Sequence, residues 1–297
     1  MRVPIFTDDP GWHGEELKQA FAKRGIEGIF VSLQSCVVDL SEYKPQVRIP
    51  FFERLPTAVF IRGVSGGTLQ QVITRLNVLH MLSMLGVKIY NDVRAIERTV
   101  DKAMTSFLLR SHGVTTPATW VCESKAQAEE IRLTAANNNQ LLVIKPLFGS
   151  QGLGVRKLPV VEILPVPMQQ FVDGVYYLQQ LIETPMINGK VAPHDYRVFV
   201  INGEAVAAMK RIGNSWVNNV AAGGRCEAVD ADEVLTKLAL AAASALNIDY
   251  CGVDIIQAAS GEYYVLEVNS IPAWRGLQSV VEINIAQLLA DDFLSKI

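Results

Sequence analysis

Residues 250–270 read YCGVDIIQAASGEYYVLEVNS, and this stretch decides the fold. Its two apolar runs flank the turn-prone residues ASGE, a pattern typical of adjacent antiparallel strands. Glu267 and Asn269 stand two positions apart, so one face of the second strand presents both, while Asp254 lies in the first strand. Carboxylate and amide oxygens suit Mg²⁺, which completes its coordination with water and substrate phosphates. The stretch therefore predicts a metal site that works beside a phosphate site.

A glycine-rich segment upstream, VIKPLFGSQGLGV at 143–155, has the composition of such a phosphate site. A strand-like run leads from Lys145 into a turn that contains Gly149, Gly152 and Gly154. Glycines let backbone N–H groups approach phosphate oxygens, and a lysine supplies neutralising charge. The segment lacks the GK[ST] ending and the helix pattern of a P-loop. Taken alone, it fits a tight hairpin turn with a surface lysine equally well.

Further cations stand where they could meet one polyphosphate. Lys102 begins a predicted helix 43 residues before Lys145. The segment HDYRVFV places Asp195 and Arg197 on one face of a strand, and MKRI adds Arg211. Arginine binds carboxylate or phosphoryl oxygens in a bidentate manner. The alternatives are unrelated surface lysines and cross-strand ion pairs on a solvated sheet.

Composition narrows the class of protein. The chain has 297 residues, of which 49% are hydrophobic, and a formal net charge of -3, which disfavours a dedicated nucleic-acid or membrane-surface protein. Its four cysteines are scattered without a CxxC, which is typical of reduced thiols. No apolar run approaches the roughly 18 residues of a membrane span, and no signal-peptide pattern opens the sequence. We therefore expect a cytoplasmic protein that acts on small molecules.

Periodicity divides the chain into three predicted segments, 1–93, 94–175 and 176–297. In the first, strands at 2–6, 28–33 and 58–62 alternate with helices at 15–24 and 69–85, which predicts a mainly parallel sheet covered by helices. The second carries the glycine-rich turn, and the third alternates apolar and polar residues as an antiparallel sheet does. The apolar helix at 69–85 fits a homo-oligomer contact as well as the core.

In this order, the segments resemble the ATP-grasp superfamily and, within it, the RimK-like glutamate ligases. The segments are DK at 101–102, VIKPLFGSQGLGV, YLQQLIE, DYR, KR, NN with GG, GVDI and LEVNS. The resemblance implies an α/β (α+β) protein with the ATP-grasp fold, in which an N-terminal α/β pre-grasp domain precedes two α+β lobes that enclose ATP.

The resemblance also implies roles for individual residues. Gln180 and Leu181 would hydrogen-bond adenine through main-chain groups, and the glycine loop would close over the phosphates. The nucleotide-site residues it implies are Lys102, Lys145, Gly149, Ser150, Gln151, Gly152, Gly154, Gln180, Leu181, Asp195 and Asn219. The metal ligands it implies are Asp254, Glu267 and Asn269, for two Mg²⁺ or Mn²⁺ ions. The catalytic arginines it implies are Arg211, Arg197 and Arg275.

The turn SIPAWRGLQ after the metal strand would border the acceptor pocket in the resembling enzymes. Arg275 is there the first candidate for a substrate carboxylate contact, with a surface turn residue as the alternative, and Arg62 is the second candidate. Trp274 would either stack on an aromatic acceptor or pack the turn. Two positions depart from the family pattern: Gln180 replaces a frequent glutamate, and Val217 replaces the arginine of the ribosomal-protein enzyme.

The activity implied is ATP-dependent amide-bond formation between a carboxylate and an amine through an acyl phosphate. L-Glutamate would be one substrate, and the other a cofactor precursor of tetrahydromethanopterin, methanofuran or F420 type, or a protein. A glutathione-synthetase-like or D-alanine-ligase-like enzyme is one alternative, and a non-catalytic ATP-binding regulatory protein is another. The four histidines His13, His80, His112 and His194 are expected to be structural or surface residues, with a substrate contact as the alternative for His194, which adjoins Asp195.

Overall fold

The computed structural model describes residues 1–149, 154–158, 174–187, 190–191, 193–213 and 224–297. The first part of the chain builds a four-stranded parallel sheet with the order β2-β1-β5-β6, as the periodicity predicts. Its elements are β1 (Arg2–Phe6), α1 (Gly11–Ala22), β2 (Glu27–Val31), the hairpin β3 (Val37–Asp39) and β4 (Gln46–Arg48), β5 (Ala58–Ile61), α2 (Leu69–Met84) and β6 (Lys88–Tyr90).

The order of these strands places a topological switch point between β1 and β5, at the carboxyl ends of the strands. From β1 the chain moves to β2 on one side and then crosses to β5 on the other. The connections after β1 and β5 therefore leave in opposite directions, which is where open α/β sheets bind ligands. Thr68 is the N-cap residue of helix α2, and its side chain forms a capping box with Gln71. This helix buries Val78 and Leu79 and leaves Met84 exposed, so its role in a homo-oligomer stays a prediction.

A second, antiparallel sheet has the order β7-β10-β8-β9. Two helices precede it, α3 (Val93–Val100) and α4 (Lys102–Ser111). Its strands are β7 (Thr119–Cys122), β8 (Leu142–Lys145), β9 (Arg156–Leu158) and β10 (Tyr176–Gln180), and helix α5 (Lys125–Asn137) connects β7 to β8. Alternation had grouped β10 with the strands that follow it, but Tyr177 pairs with Lys145 in the middle of the second sheet. The strand β10 therefore belongs to the second sheet, and the three-segment division stays a prediction.

The third sheet is antiparallel, with the order β15-β14-β13-β16-β17. After the short strands β11 (Met186–Ile187) and β12 (Lys190–Val191), its elements are β13 (His194–Ile201), β14 (Glu204–Ile212), β15 (Arg225–Ala228), α6 (Glu233–Leu246), β16 (Tyr250–Gln257) and β17 (Tyr263–Asn269). Helix α6 covers one face, and its fully buried Ala239 and Ala242 allow the helix to pack closely on the strands. The predicted pair at 250–270 is confirmed as β16 and β17.

An aromatic core joins the first and third sheets. Phe60 of β5 lies 5.6 Å from Tyr250 of β16, and Tyr90 of β6 stacks on Tyr250 at 5.0 Å between ring centroids. The chain ends with α7 (Arg275–Gln278) and α8 (Ile285–Ser295), and Phe293 of α8 packs against Phe60. These contacts bring the edge of the parallel sheet next to the turn that follows β17. No helix in the described ranges has the length and hydropathy that crossing a membrane requires.

Candidate functional site

The predicted acidic triplet lies across two neighbouring strands. Asp254 of β16 stands opposite Glu267 of β17, and a bulge follows directly after this pair. Asn269 Nδ2 donates to Glu267 Oε1 at 3.0 Å, which confirms that these two side chains share a face. Two carboxylates and an amide suit a hard dication that keeps water or phosphate in its remaining positions. No group of three or more His, Cys, Asp or Glu side chains suited to a metal ion occurs in the described residues.

Two arginines occupy both oxygens of the Asp254 carboxylate. Arg197, its register partner on β13, donates from Nε to Oδ1 and from Nη2 to Oδ2 at 2.7 Å each. Arg211 Nη2 lies 3.0 Å from Asp254 Oδ2. Burial raises the pKa of Asp254, but the two guanidinium groups outweigh it and hold this pKa below its usual value. Asp254 is therefore an ionised group, and the cross-strand ion pairs left open by the sequence are formed.

A second carboxylate extends this row of charges. Asp195 faces Arg211 across β13 and β14, and Arg211 donates to its two oxygens at 2.6 and 2.8 Å. Burial raises the pKa of Asp195 even though Arg211 opposes the shift. Asp195, Arg211, Asp254 and Arg197 thus alternate in sign on a buried part of the sheet. The immediate partner of Asp195 is Arg211, so its contact with nucleotide stays a prediction.

The two predicted lysines meet at the start of the glycine-rich turn. Lys102, at the first position of α4, donates from Nζ to Leu147 O at 3.2 Å and to Gly149 O at 2.8 Å. Burial lowers the pKa of Lys145 to about 8; the Glu267 carboxylate opposes this shift and the Lys102 ammonium adds to it. Burial also lowers the pKa of Lys102. The lysines and the acidic strand pair therefore act on one another, as a shared phosphate and metal site requires.

Gln179 is a site residue that the sequence analysis missed. Its side chain is almost fully buried, and Oε1 accepts a hydrogen bond of 2.6 Å from Lys145 Nζ. Its Nε2 donates to Thr119 Oγ1 at 3.1 Å and to the Tyr177 hydroxyl at 3.0 Å. A buried amide with all these contacts fixes the lysine in place. The sequence signal for Gln179 is a glutamine inside an apolar strand, YYLQQ, at a position whose side chain points to the opposite face from Gln180.

The predicted adenine contacts lie at the end of β10. The N–H groups of Gln180 and Leu181 already donate to Ala118 O at 2.8 Å and to Leu141 O at 2.7 Å. Neither N–H group is therefore available to adenine in this conformation, and the predicted main-chain role stays a prediction that must rest on other groups. A cavity between β7 and α5, lined by Trp120 and Glu130 among others, includes none of the predicted site residues.

The turn after β17 packs against the first sheet. Trp274 is fully buried, 4.7 Å from the His13 ring and 6.3 Å from the Phe199 ring, so packing is its role in this structure. His13 Nε2 accepts hydrogen bonds from the backbone N–H groups of Trp274 at 3.0 Å and Arg275 at 3.2 Å. Burial lowers the pKa of His13 to about 4, with Arg62 and Arg275 acting in the same direction. His13 is therefore a neutral acceptor, consistent with the structural role expected.

Four predicted nucleotide-site positions lie outside the described residues: Ser150, Gln151, Gly152 and Asn219. Of the loop glycines, Gly149 and Gly154 are described, with φ of 133° and 80°. A φ in this range favours glycine, so both positions require the residue that the sequence provides there. The roles assigned to individual site residues stay predictions.

Comparisons with known proteins agree with this geometry. A family described as RimK-like ATP-grasp domain matches residues 99–293. Tetrahydromethanopterin:alpha-L-glutamate ligase of Methanococcus maripaludis is 31% identical over 300 residues, 99% of this chain and 98% of the relative. The protein of the same name from Methanocaldococcus jannaschii is 37% identical over 227 residues, 74% of each chain.

The fold also matches that of solved structures. The ATP-grasp ligase PsnB, complexed with a minimal precursor, has a TM-score of 0.76 at 21% identity and covers 100% of this chain and 99% of its own. At this identity the likeness bears on the fold alone, and it confirms the predicted ATP-grasp architecture. Together with the family match and the full-length relatives, it leads to one conclusion: the chain belongs to the RimK-like ATP-grasp family of ATP-dependent, amide-bond-forming ligases.

Proposed function

We propose that this protein is an ADP-forming carboxylate–amine ligase that adds L-glutamate to a small-molecule cofactor precursor. The observation that carries the proposal is that both lysines lie within electrostatic range of Glu267, and Lys145 also within range of Asp254, while Lys102 is hydrogen-bonded to the glycine-rich turn. Such a set neutralises a polyphosphate and holds a hard cation beside it. The glutamate ligase relatives, one of which spans 99% of this chain, support the choice of glutamate and of a pterin-type acceptor.

The reaction needs charge and position more than acid–base side chains. A substrate carboxylate attacks the γ-phosphate of ATP, and ADP leaves with the electron pair of the broken bond. The amine of the second substrate then displaces phosphate from the acyl phosphate and loses a proton, which gives an amide and inorganic phosphate. Fixed cations stabilise the negative charge that the transferring phosphoryl group spreads over its oxygens, and they align the reactants.

The residues divide this work between them. Lys145, held by Gln179, and Lys102 would bind the ATP phosphates, and Arg211 would face the transferred phosphoryl group. Asp254, Glu267 and Asn269 would hold Mg²⁺, as two ions, and the bound metal supplies further charge neutralisation at the phosphates. The protein's own part is to keep Asp254 ionised, and the two arginines paired with it do so before any ligand arrives.

The test is ADP release by the purified protein with ATP, Mg²⁺ and L-glutamate across a panel of pterin, furan, amino-acid and peptide acceptors. Mass spectrometry should find an acceptor heavier by one glutamyl residue for each ADP released. Glu267→Gln should lose turnover and keep most nucleotide binding, because it removes one charge from the metal site and leaves both lysines. ATP binding without turnover on any acceptor would instead favour the non-catalytic alternative.

A further inference from the structure

Arg62 carries a half-buried guanidinium that has no counter-ion among the residues that the structure describes. It follows β5, and its Nη1 makes one long contact of 3.4 Å with Ile271 O. Its Nε is buried and has no hydrogen-bond partner there. Burial lowers the pKa of Arg62, and no carboxylate opposes this shift among the described residues. A buried donor without a hydrogen-bond partner is destabilising, so the Nε of this half-buried cation calls for a partner that arrives from solution.

The surroundings of Arg62 supply further donors. Its guanidinium lies 5.1 Å from the centre of the Trp274 ring, and the Trp274 Nε1 is likewise buried without a partner among the described residues. Arg62 directly follows β5, at the carboxyl end of the sheet and beside the end of β1, which is where open α/β sheets bind ligands. Asp8, which follows β1, already accepts from Ser32 and Gln34. The unsatisfied groups at this edge are therefore donors, as an anion site requires.

A second guanidinium belongs to the turn that carries Trp274. The positive charges of Arg62 and Arg275 both act on His13, which lies between the parallel sheet and the turn after β17. The Arg275 guanidinium is exposed and lies 6.0 Å from the centre of the Trp12 ring. By accepting from the N–H groups of Trp274 and Arg275, His13 fixes the backbone that carries the second arginine. A protonated His13 could not accept these bonds.

The other site cations already have partners. Arg197 and Arg211 pair with carboxylates, whereas Lys102 and Lys145 bind a loop carbonyl and an amide at the phosphate end of the site. An amino acid that reacts through its amine still brings carboxylate groups, and these need cations of their own.

We propose that Arg62 and Arg275 form the subsite that binds a carboxylate of the amino-acid substrate, with the Trp274 N–H as a further donor and His13 as a positioning residue. This inference rests on the proposed ligase function and names the residues that select a dicarboxylic amino acid. The incoming carboxylate supplies the counter-ion that Arg62 lacks, so binding should stabilise the protein.

The test compares Arg62→Met with the wild-type protein and with Arg54→Met, which removes an exposed arginine of the same segment. In the ligase assay, Arg62→Met should raise KM for L-glutamate by about 10- to 100-fold, the effect of losing a charge-assisted hydrogen bond. KM for ATP should stay within about twofold, because the phosphate site is intact. The Tm of Arg62→Met without ligand should not fall, since the substitution removes a half-buried charge that has no counter-ion among the described residues. Arg54→Met should match wild type in every measurement.

A binding measurement separates this inference from the proposed function. L-Glutamate should raise the Tm of the wild-type protein in the presence of ADP and Mg²⁺ and should not raise that of Arg62→Met. That result supports the subsite even if no acceptor is ever ligated. Equal glutamate shifts in both proteins, no shift in wild type, or a lower Tm of Arg62→Met with an unchanged KM for glutamate would each overturn it.

The role of His13 has its own readout. His13→Gln keeps an acceptor oxygen near the two backbone N–H groups, whereas His13→Phe keeps the ring and removes the acceptor. We expect Phe to raise KM for glutamate with little change in KM for ATP, and Gln to restore most of the loss. An equal change in both KM values, or no difference between the two variants, would show that His13 does not position the subsite.

Discussion

Raising the pH should weaken nucleotide binding through Lys145, the site lysine with the larger pKa shift. Burial lowers the pKa of this lysine to about 8, whereas a lysine in water titrates near about 10.4. Its ammonium is the charge proposed to meet the ATP phosphates, and the neutral amine supplies no such charge. The phosphates themselves change charge near about pH 6, below the range that matters here. The affinity for nucleotide should therefore follow the titration of Lys145.

The size of the effect follows from the pKa. With a pKa of about 8, roughly nine tenths of Lys145 is protonated at about pH 7 and roughly one tenth at about pH 9. If the protonated form alone binds, the apparent Kd rises about tenfold over this range, or about 1.4 kcal/mol. Lys145 is half-buried, and its contact with solvent works against the shift, so tenfold is an upper bound.

The assay is calorimetric titration of ADP into the protein with Mg²⁺ at several pH values between about 7 and 9. Lys145→Arg is the control, because a guanidinium stays charged throughout this range and its binding should be nearly independent of pH. The reasoning is refuted if wild-type affinity is the same at both ends of the range. It is refuted equally if wild type and Lys145→Arg lose affinity in parallel.

Three further predictions concern stability and the geometry of the site. Asp254→Asn removes the carboxylate partner of Arg197 and one of the two carboxylate partners of the buried Arg211, and it should lower the unfolding free energy by about 3–5 kcal/mol, measured by urea denaturation; an unchanged midpoint contradicts the pairing. Gln179→Leu should weaken ADP binding and cost about 1–3 kcal/mol of stability, because it removes the side-chain acceptor of the Lys145 ammonium, while Gln179→Met with wild-type affinity would refute the role. The pKa of His13 falls to about 4 because of burial and two nearby arginines, whereas the unfolded value is about 6.5. Between these two pH values, unfolding takes up a proton at His13. The neutral His13 therefore contributes its full stability above about pH 6.5, and this stability is lost as the pH falls to about 4. His13→Gln should flatten the dependence of Tm on pH in this range.

Much of the fold could be predicted from local pattern. The parallel strands of the first sheet and the β16–β17 pair follow from short apolar runs and alternation, which depend only on neighbours in sequence. The helices Val93–Val100 and Ile285–Ser295 were not predicted, and the second of these contributes Phe293 to a core shared with the first sheet. Strand Tyr176–Gln180 was predicted but grouped with the wrong strands, because alternation does not identify the partner of a strand.

The candidate site, like the fold, could be predicted from the sequence only in part. The sequence by itself determined which residue types are present: the acidic pair with its amide, two lysines, a glycine-rich turn and the family to which their order points. Only the tertiary structure decided their partners. Arg197 meets Asp254 from 57 positions away, and Gln179 holds Lys145 from 34 positions away. Arg62 lies beside Trp274, yet nothing near Arg62 in the sequence indicates a buried donor without a partner among the described residues. Pairing and desolvation arise between distant segments that the fold brings together, and they set which of these charges are already satisfied and which await a ligand.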